Sequence, residues 1–107
     1  MKTLKFEKKL VPFILSGEKV CTWRIFDDKG LSLGDELILI NRDTKEEFAN
    51  AKIVSVYEKK LKDMDDADYD GHERFVSNEK MIETYIGYYG DKVTGDSLVK
   101  IIKFILL

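Results

Sequence analysis

Three polar residues that could do chemistry together lie within one short stretch of the sequence: Lys19, Thr22 and Arg24. A lysine amine whose pKa is lowered by burial or by a nearby cation can accept the proton of a threonine hydroxyl, which then acts as a nucleophile. Arg24 is two residues after Thr22, so on an extended strand their side chains share one face. The planar guanidinium of Arg24 could hold a carbonyl, a carboxylate or a phosphate. The three residues therefore predict either a solvated strand edge or the lining of a pocket.

A second group of candidate residues lies in the last third of the chain. Asp70 precedes Gly71, and His72 is the only histidine. A loop tip of this kind could carry an acid or a base, although acidic runs more often face water. Tyr88 and Tyr89 stand beside glycines in TYIGYYG, and their rings could stack on a nucleobase. His72, Tyr88 and Tyr89 are thus candidate binding residues, with a solvated loop and a packed core as the alternatives.

The elements that must position these residues follow from hydrophobic periodicity. Gly17 is a natural end for a first short helix, so Lys19 either begins the alternating segment that carries Thr22 or lies in the turn before its regular part. Trp23, on the apolar face of that strand, and Tyr85, at helical spacing from its apolar neighbours, are predicted core residues. Ser77 is a candidate cap of the second helix. Alternating or continuous apolar residues predict strands at 4–7, 19–25, 36–41, 49–57 and 98–107, helices at 10–15 and 77–86, and turns at 28–30 and 34–35.

This order of elements predicts an α+β fold. Several short strands with two helices between them favour a small mixed β-barrel with two or three helices packed at its openings. The final strand is unusually apolar, so it is expected to have neighbours on both sides. At 107 residues, the whole chain, 1–107, is expected to form one domain.

Composition excludes several classes of protein. Cys21 is the only cysteine, which excludes an internal disulfide and a multi-cysteine zinc site. One histidine with scattered carboxylates has no recognisable metal-ligand spacing, so neither a metal nor a cofactor is expected. No apolar run reaches the roughly 18 residues of a membrane span, and the N-terminus lacks the apolar stretch of a signal peptide. We therefore expect a soluble, cytoplasmic protein, whose net charge of −2 gives no global attraction to nucleic acid. The sequence leaves the oligomeric state open, with a monomer favoured.

Read in order, the motifs of the chain are LVPFILSGEKVCTWR, GLSLGDEL, AKIVSVYEKKL, DGHERF, TYIGYYG and VKIIKFILL. The most specific part is a G-x-K-x-x-T-x-R pattern formed by Gly17, Lys19, Thr22 and Arg24. Over nearly its whole length the sequence resembles the ASCH domain family of the PUA-like superfamily. The resemblance implies a small β-barrel with helices whose cleft recognises RNA or modified nucleosides. It also includes a branch of amidohydrolases that remove the acetyl group of N4-acetylcytidine with a lysine, a threonine and a glutamate.

Carried over residue by residue, the resemblance implies that Lys19 and Thr22 match the lysine and the threonine of the amidohydrolase branch. Asp70, before Gly71, stands at the position of the glutamate. Aspartate keeps the charge but shortens the reach by one methylene, and Glu73 could take the same place only if the loop bends differently.

Three functional hypotheses follow. The first is an RNA- or modified-nucleoside-binding protein whose cleft is lined by Lys19, Thr22 and Arg24. The second is an amidohydrolase with Thr22 as nucleophile, Lys19 as base and Asp70 as supporting carboxylate. The third is a small-molecule sensor or interaction module that involves no nucleic acid. For the first two, the expected substrate-binding residues are Gly17, Arg24, His72, Tyr88 and Tyr89.

Overall fold

The computed structural model describes residues 1–27 and 29–107. Asp28, which the sequence assigns to a turn, lies outside the described residues. Short 3-10 helices at Lys8–Leu10, Leu61–Asp63 and Asp66–Tyr69 connect the main elements. In chain order these elements are β1 (Lys2–Phe6), α1 (Val11–Leu15), β2 (Cys21–Ile25), β3 (Glu36–Asn41), β4 (Glu47–Lys60), α2 (Asn78–Tyr89) and β5 (Leu98–Leu106).

The five strands form one curled sheet in the order β1-β3-β4-β5-β2. The β1–β3 pair is parallel and the other pairs are antiparallel. The predicted α+β class is confirmed, because the sheet is a half-barrel accompanied by two short α-helices. Because β1 and β2 are the outer strands of the order, the sheet presents two edges that the curl turns toward each other.

β5 occupies the interior position that its sequence predicts, between β4 and β2. Its apolar side chains enter two different cores. Ile102 and Phe104 pack with β1 and α1, in what we call the α1-side core. Val99 and Ile101 pack with α2, in what we call the α2-side core. A strand that is buried on both faces needs a continuous apolar sequence rather than an alternating one, which explains the composition of the C-terminal segment.

A β-bulge in β4 changes which face its side chains occupy. Ile53 pairs with Phe104, and Ser55 pairs with the adjacent residue of β5, Lys103. Val54 is therefore an extra residue in the ladder. Before the bulge Ile53 enters the α1-side core, whereas after it Val56 does so and Tyr57 enters the α2-side core. Since side chains alternate with a period of two, one inserted residue exchanges the two faces. The long strand can therefore contribute to both cores.

The segment between β4 and α2 is held in place by a buried carboxylate. The side chain of Asp68 accepts hydrogen bonds from the Tyr57 hydroxyl at 2.8 Å and the Lys59 amine at 2.7 Å. Asp65 caps the adjacent 3-10 helix by accepting from two backbone N–H groups.

At the following turn, the carbonyl of Gly71 accepts from the backbone N–H groups of Val20 at 2.9 Å and Cys21 at 3.1 Å. These contacts fix the loop that carries His72 and Glu73 against the start of β2.

The second α-helix begins where the sequence predicts. The Ser77 hydroxyl accepts a hydrogen bond from the Lys80 backbone N–H at 3.1 Å, which satisfies one of the free donors of the first turn. Met81 and Tyr85 point into the α2-side core, and the helix ends at Gly90. Among residues 1–27 and 29–107, none of the helices combines the length and the hydrophobicity that a membrane crossing requires.

Candidate functional site

A cavity of about 330 Å³ opens between the two edges of the sheet. Its volume falls at the lower end of the roughly 300–1,000 Å³ that is typical of small-molecule sites. Strands β1 and β2 form its sides, and the loop at residues 72–73 and the last turns of α2 complete it. The lining residues are Lys5, Phe6, Glu7, Leu10, Lys19, Thr22, Trp23, Arg24, Lys29, Arg42, His72, Glu73, Tyr85, Tyr88 and Tyr89.

Lys19 lies in the short connection between α1 and β2, so the strand begins two residues later than the predicted segment 19–25 and Lys19 takes the alternative position in the turn. Gly17 reverses the chain with a φ of +85°, and the backbone N–H of Lys19 then donates to the carbonyl of Phe13 at 2.9 Å. The side chain is only 5% exposed, and its amine donates to the Cys21 carbonyl and to Glu73 Oε2, each at 2.7 Å. Burial lowers the pKa of Lys19 below its usual value, and the Glu73 carboxylate opposes part of that shift.

Thr22 and Arg24 share a face of β2, and their side chains contact each other. Arg24 Nε donates to Thr22 Oγ1 at 3.2 Å, and Arg24 Nη2 donates to the Lys5 carbonyl at 2.9 Å. The guanidinium lies 4.9 Å from the centre of the Phe6 ring. Arg24 thus joins the two sheet edges across the cavity. Because Thr22 Oγ1 accepts this bond, its own hydrogen remains available for another acceptor.

Arg24 has no ion-pair partner among the residues that the structure describes. Two of its five N–H groups are used in the contacts with Thr22 and Lys5. Burial lowers the pKa of its guanidinium, but an arginine stays protonated in proteins. The cavity therefore contains a positive group with unused hydrogen-bond donors, a feature that suits a carbonyl oxygen or an anion.

The carboxylate beside Lys19 belongs to Glu73 rather than to Asp70. The side chain of Asp70 is 86% exposed, and its nearest cation is the Lys103 amine at 3.9 Å. The turn at Gly71, with a φ of +76°, separates the two carboxylates and directs only the second toward the cavity. Glu73 follows the sole histidine, a spacing that the sequence offers as an alternative but does not select.

Glu73 itself is 41% exposed at the side chain, so it connects the buried amine with solvent. Burial alone would raise the pKa of its carboxyl. Near the acidic pH at which Glu73 titrates, the charge of protonated His72 and that of the Lys19 ammonium outweigh burial, so the pKa of Glu73 lies below its usual value. Glu73 is therefore negatively charged at neutral pH.

His72 is held in one neutral form beneath the cavity. Its ring stacks on the Trp23 indole with 4.1 Å between centroids and 17° between planes. His72 Nδ1 bonds the Glu73 carbonyl at 2.7 Å, and since a carbonyl can only accept, Nδ1 carries the hydrogen. Burial, with a further contribution from the Lys19 charge, lowers the pKa of His72 to about 4. At pH 7 the other ring nitrogen, Nε2, is therefore an acceptor.

We expect this histidine to make the protein less stable in acid. An unfolded histidine binds its proton near pH 6.5, whereas folded His72 does so only at about pH 4. Between these values the unfolded state binds more protons, so the free energy of unfolding falls as the pH is lowered through this window, with a slope approaching about 1.4 kcal/mol per pH unit. Urea denaturation at several pH values measures the slope.

The variant His72→Gln serves as the control for this prediction. It lacks the titrating ring, so its free energy of unfolding should vary less between pH 6.5 and 4 than that of the unaltered protein. Equal slopes in the two proteins would assign the acid sensitivity to carboxylates instead.

The aromatic residues of α2 divide between core and cavity. Tyr85 is buried, as predicted, and Tyr89 stacks on it with centroids 6.2 Å apart. Trp23 is also buried, and its indole Nε1 has no hydrogen-bond partner within the described part of the chain. The Tyr88 hydroxyl donates to Glu7 Oε1. Burial and this bond raise the pKa of Tyr88 to about 12.

The structure thus brings together most of the residues that the sequence proposes for a site. Lys19, Thr22, Arg24, His72, Tyr88 and Tyr89 all line the cavity, whereas Gly17 and Asp70 are absent from its lining. Sequence reasoning missed Glu7 and Arg42. Both lie far along the chain from β2 and have no motif of their own, so only the sheet topology brings them to the cavity. Within the described residues, no group of three or more histidine, cysteine or acidic side chains could hold a metal ion.

Neither a protein-family model nor a curated protein matches this sequence. Solved structures do match it. An ASCH domain from Lactobacillus crispatus aligns with 98% of this chain and 79% of its own, at 16% identity and a TM-score of 0.72. A protein from Enterococcus faecalis described as DUF984 aligns with 92% of this chain and 70% of its own, at 15% identity and a TM-score of 0.75. The ASCH protein of Zymomonas mobilis aligns with 96% of this chain and 65% of its own, at 15% identity and a TM-score of 0.62. With these neighbours, the chain has the ASCH-domain fold.

Proposed function

We propose that this protein hydrolyses the amide bond of an N-acylated nucleoside of the N4-acetylcytidine type. One observation carries the proposal: the buried Lys19 amine, whose pKa is lowered, lies against Glu73 in the same cavity as the Thr22 hydroxyl. A lysine with a perturbed pKa in a cleft is a recognised mark of a catalytic site. The size of the cavity and its tyrosine lining suit a base and its sugar.

In the first half of the proposed reaction, Thr22 Oγ attacks the carbonyl carbon of the amide. The hydroxyl proton moves to Lys19 in its uncharged form, whose share burial increases by lowering the pKa of the amine. The electron pair of the carbonyl double bond moves onto oxygen, and the unused N–H groups of Arg24 can donate to that oxyanion. Glu73 and the Cys21 carbonyl hold the amine in position.

In the second half, the carbon–nitrogen bond breaks and the leaving amino group takes the proton from the Lys19 ammonium. The acetyl group is then an ester on Thr22. A water molecule attacks this ester, Lys19 accepts the proton of the water, and the proton finally returns to Thr22 Oγ as the ester bond breaks. The products are cytidine and acetate. Thr22 as nucleophile and Lys19 as proton acceptor and donor serve both the formation and the hydrolysis of the ester, with Glu73 holding the amine in position.

The direct test is to incubate the purified protein with N4-acetylcytidine and to measure cytidine and acetate by chromatography. Equal amounts of the two products are expected. Absence of turnover, with folded protein and sensitive detection, would overturn the hydrolase proposal.

Two carboxylate variants test which acidic residue supports the amine. We expect Glu73→Gln to lower kcat by about 10–100-fold, because the amide keeps the shape but no longer balances the charge on Lys19 during proton transfer. Asp70→Asn changes an exposed carboxylate, and its kcat should stay within about twofold of the unaltered enzyme. Both variants replace a carboxylate by the amide of the same length, so they are matched. A larger loss in Asp70→Asn than in Glu73→Gln would reverse the assignment.

Binding of RNA or a nucleoside without chemistry is the second candidate function. It is supported by the tyrosines and by the cations in the cavity lining, Lys5, Lys29 and Arg42. Tyrosine rings can stack on any base, and contacts with phosphate make affinity fall as salt rises. Tight cytidine or RNA binding by a protein that does not turn over N4-acetylcytidine would favour this function over hydrolysis.

A further inference from the structure

The opening of the cavity is more positive than the proposed nucleoside substrate requires. Five cations and two carboxylates line the cavity, although the protein as a whole has a net charge of −2. The cations lie at two depths. Lys19 is buried and Arg24 is partly buried, whereas Lys5, Lys29 and Arg42 are exposed and so mark the side that faces solvent.

The carboxylates of the cavity are already engaged by other groups. Glu73 pairs with Lys19 at 2.7 Å. Glu7 accepts from the Tyr88 hydroxyl and also lies 3.5 Å from both Lys9 and Arg42. Two carboxylates cannot neutralise five cations, so positive charge is left over at the opening. A concentration of one charge at a cleft attracts a ligand of the opposite charge.

Arg42 is the best placed of these exposed cations to hold an anion. Its guanidinium lies 5.7 Å from the centre of the Tyr88 ring, and its side chain is 47% exposed. The 3.5 Å separation from Glu7 is longer than the roughly 2.7–2.9 Å of a strong charge-assisted hydrogen bond. The fork of N–H groups can therefore turn to a stronger acceptor without breaking an optimal contact, and phosphate matches that fork.

From these contacts we infer that the ligand carries a phosphate, and that the cavity selects a nucleoside monophosphate over the uncharged nucleoside. The inference rests on the proposed function, since the base and the acyl group occupy the inner end at Lys19 and Thr22. Arg42 holds the phosphate at the opening, with Lys5 and Lys29 adding positive charge. At about 330 Å³, the cavity has room for one nucleotide at a time.

The experiment compares the binding of cytidine and of cytidine monophosphate by calorimetry at low salt. Neither compound has an acyl group, so turnover does not enter the measurement. The unaltered protein should bind the monophosphate about tenfold more tightly or better, and added salt should reduce this preference. Arg42→Gln should remove most of the preference, measured in this variant as the ratio of the two affinities.

Arg74→Gln is the matched control. Arg74 also lies over a tyrosine ring, that of Tyr69 at 5.2 Å, and it also has one loose carboxylate partner, Asp66 at 3.4 Å. It is absent from the cavity lining, so its replacement should change neither affinity. An equal loss of monophosphate affinity in both arginine variants would indicate a general charge effect and would overturn the inference.

The remaining outcomes separate this inference from the proposed function. Equal affinity for cytidine and its monophosphate overturns the inference and leaves the nucleoside site intact. Binding of neither compound overturns the inference, and the turnover of N4-acetylcytidine then decides the proposed function separately. An oligonucleotide that binds more than tenfold tighter than the monophosphate overturns the selection of a single nucleotide in favour of RNA.

Discussion

The variant Lys19→Met is expected to lose turnover of N4-acetylcytidine by at least about 1,000-fold. Methionine has an unbranched side chain of similar length but no basic nitrogen, so the Thr22 proton has no acceptor at this place. The fold should tolerate the change, because the carboxylate left behind, Glu73, is 41% exposed and can be hydrated. Initial rates of cytidine release, with circular dichroism of each variant, provide the measurement.

Two further lysine variants make this prediction specific. Lys103→Met makes the same substitution on β5, at the residue paired with Cys21, and Lys103 does not line the cavity; its turnover should stay within a few-fold of the unaltered protein. Lys19→Arg keeps a positive charge but cannot act as a base, since arginine is not deprotonated in proteins. It should be as inactive as Lys19→Met. Substantial turnover by Lys19→Arg would show that position 19 supplies charge rather than a base.

The largest loss of stability is expected from Gly71→Ala, at about 2–4 kcal/mol. Gly71 has a φ of +76°, and an added Cβ would lie 2.5 Å from Val20 Cγ2, far inside van der Waals contact. Either the Val20 side chain leaves its rotamer or the loop moves away from β2, and the second change weakens the two hydrogen bonds that the Gly71 carbonyl accepts from Val20 and Cys21. The free energy of unfolding in urea at pH 7 measures the loss.

Gly17→Ala separates the steric contribution from the conformational one. Gly17 also has a positive φ, of +85°, but a Cβ there would meet no atom within 4 Å. Its replacement should cost only the strain of a left-handed backbone, about 1–2 kcal/mol. Because the Gly71 loop carries Glu73, Gly71→Ala should also lower turnover under conditions in which the protein remains folded. Equal losses of stability in the two variants would contradict the close packing of Gly71 against β2.

Local patterns in the sequence were sufficient to predict the main elements. The alternation around Thr22 predicts β2, the helical spacing of Met81 and Tyr85 predicts α2, and the apolar C-terminal run predicts the interior position of β5. In each case the information lies within about ten residues, because strand and helix periods repeat over that distance. The predicted barrel was more closed than the half-barrel sheet that the chain forms.

The sequence could not predict the bulge in β4. Val54 is an ordinary strand residue, and no Gly or Pro marks its position. Whether it is paired or extra depends on which of its neighbours face each core, and that is decided only when β4 packs against β5. The exchange of faces between Ile53 and Val56 is a consequence of packing rather than of local preference.

The candidate site divides in the same way. By itself, the sequence placed Thr22 and Arg24 on one face of β2, because alternate residues of a strand are neighbours, and it left open whether Lys19 joins them. Only the tertiary structure decided that Glu73 rather than Asp70 faces the amine, since the direction of a carboxylate after a glycine turn depends on what the loop packs against. It also brought Glu7 and Arg42 to Tyr88. Contacts between residues so distant in the chain arise from strand order and loop anchoring, and the spacing of nearby residues predicts neither of them.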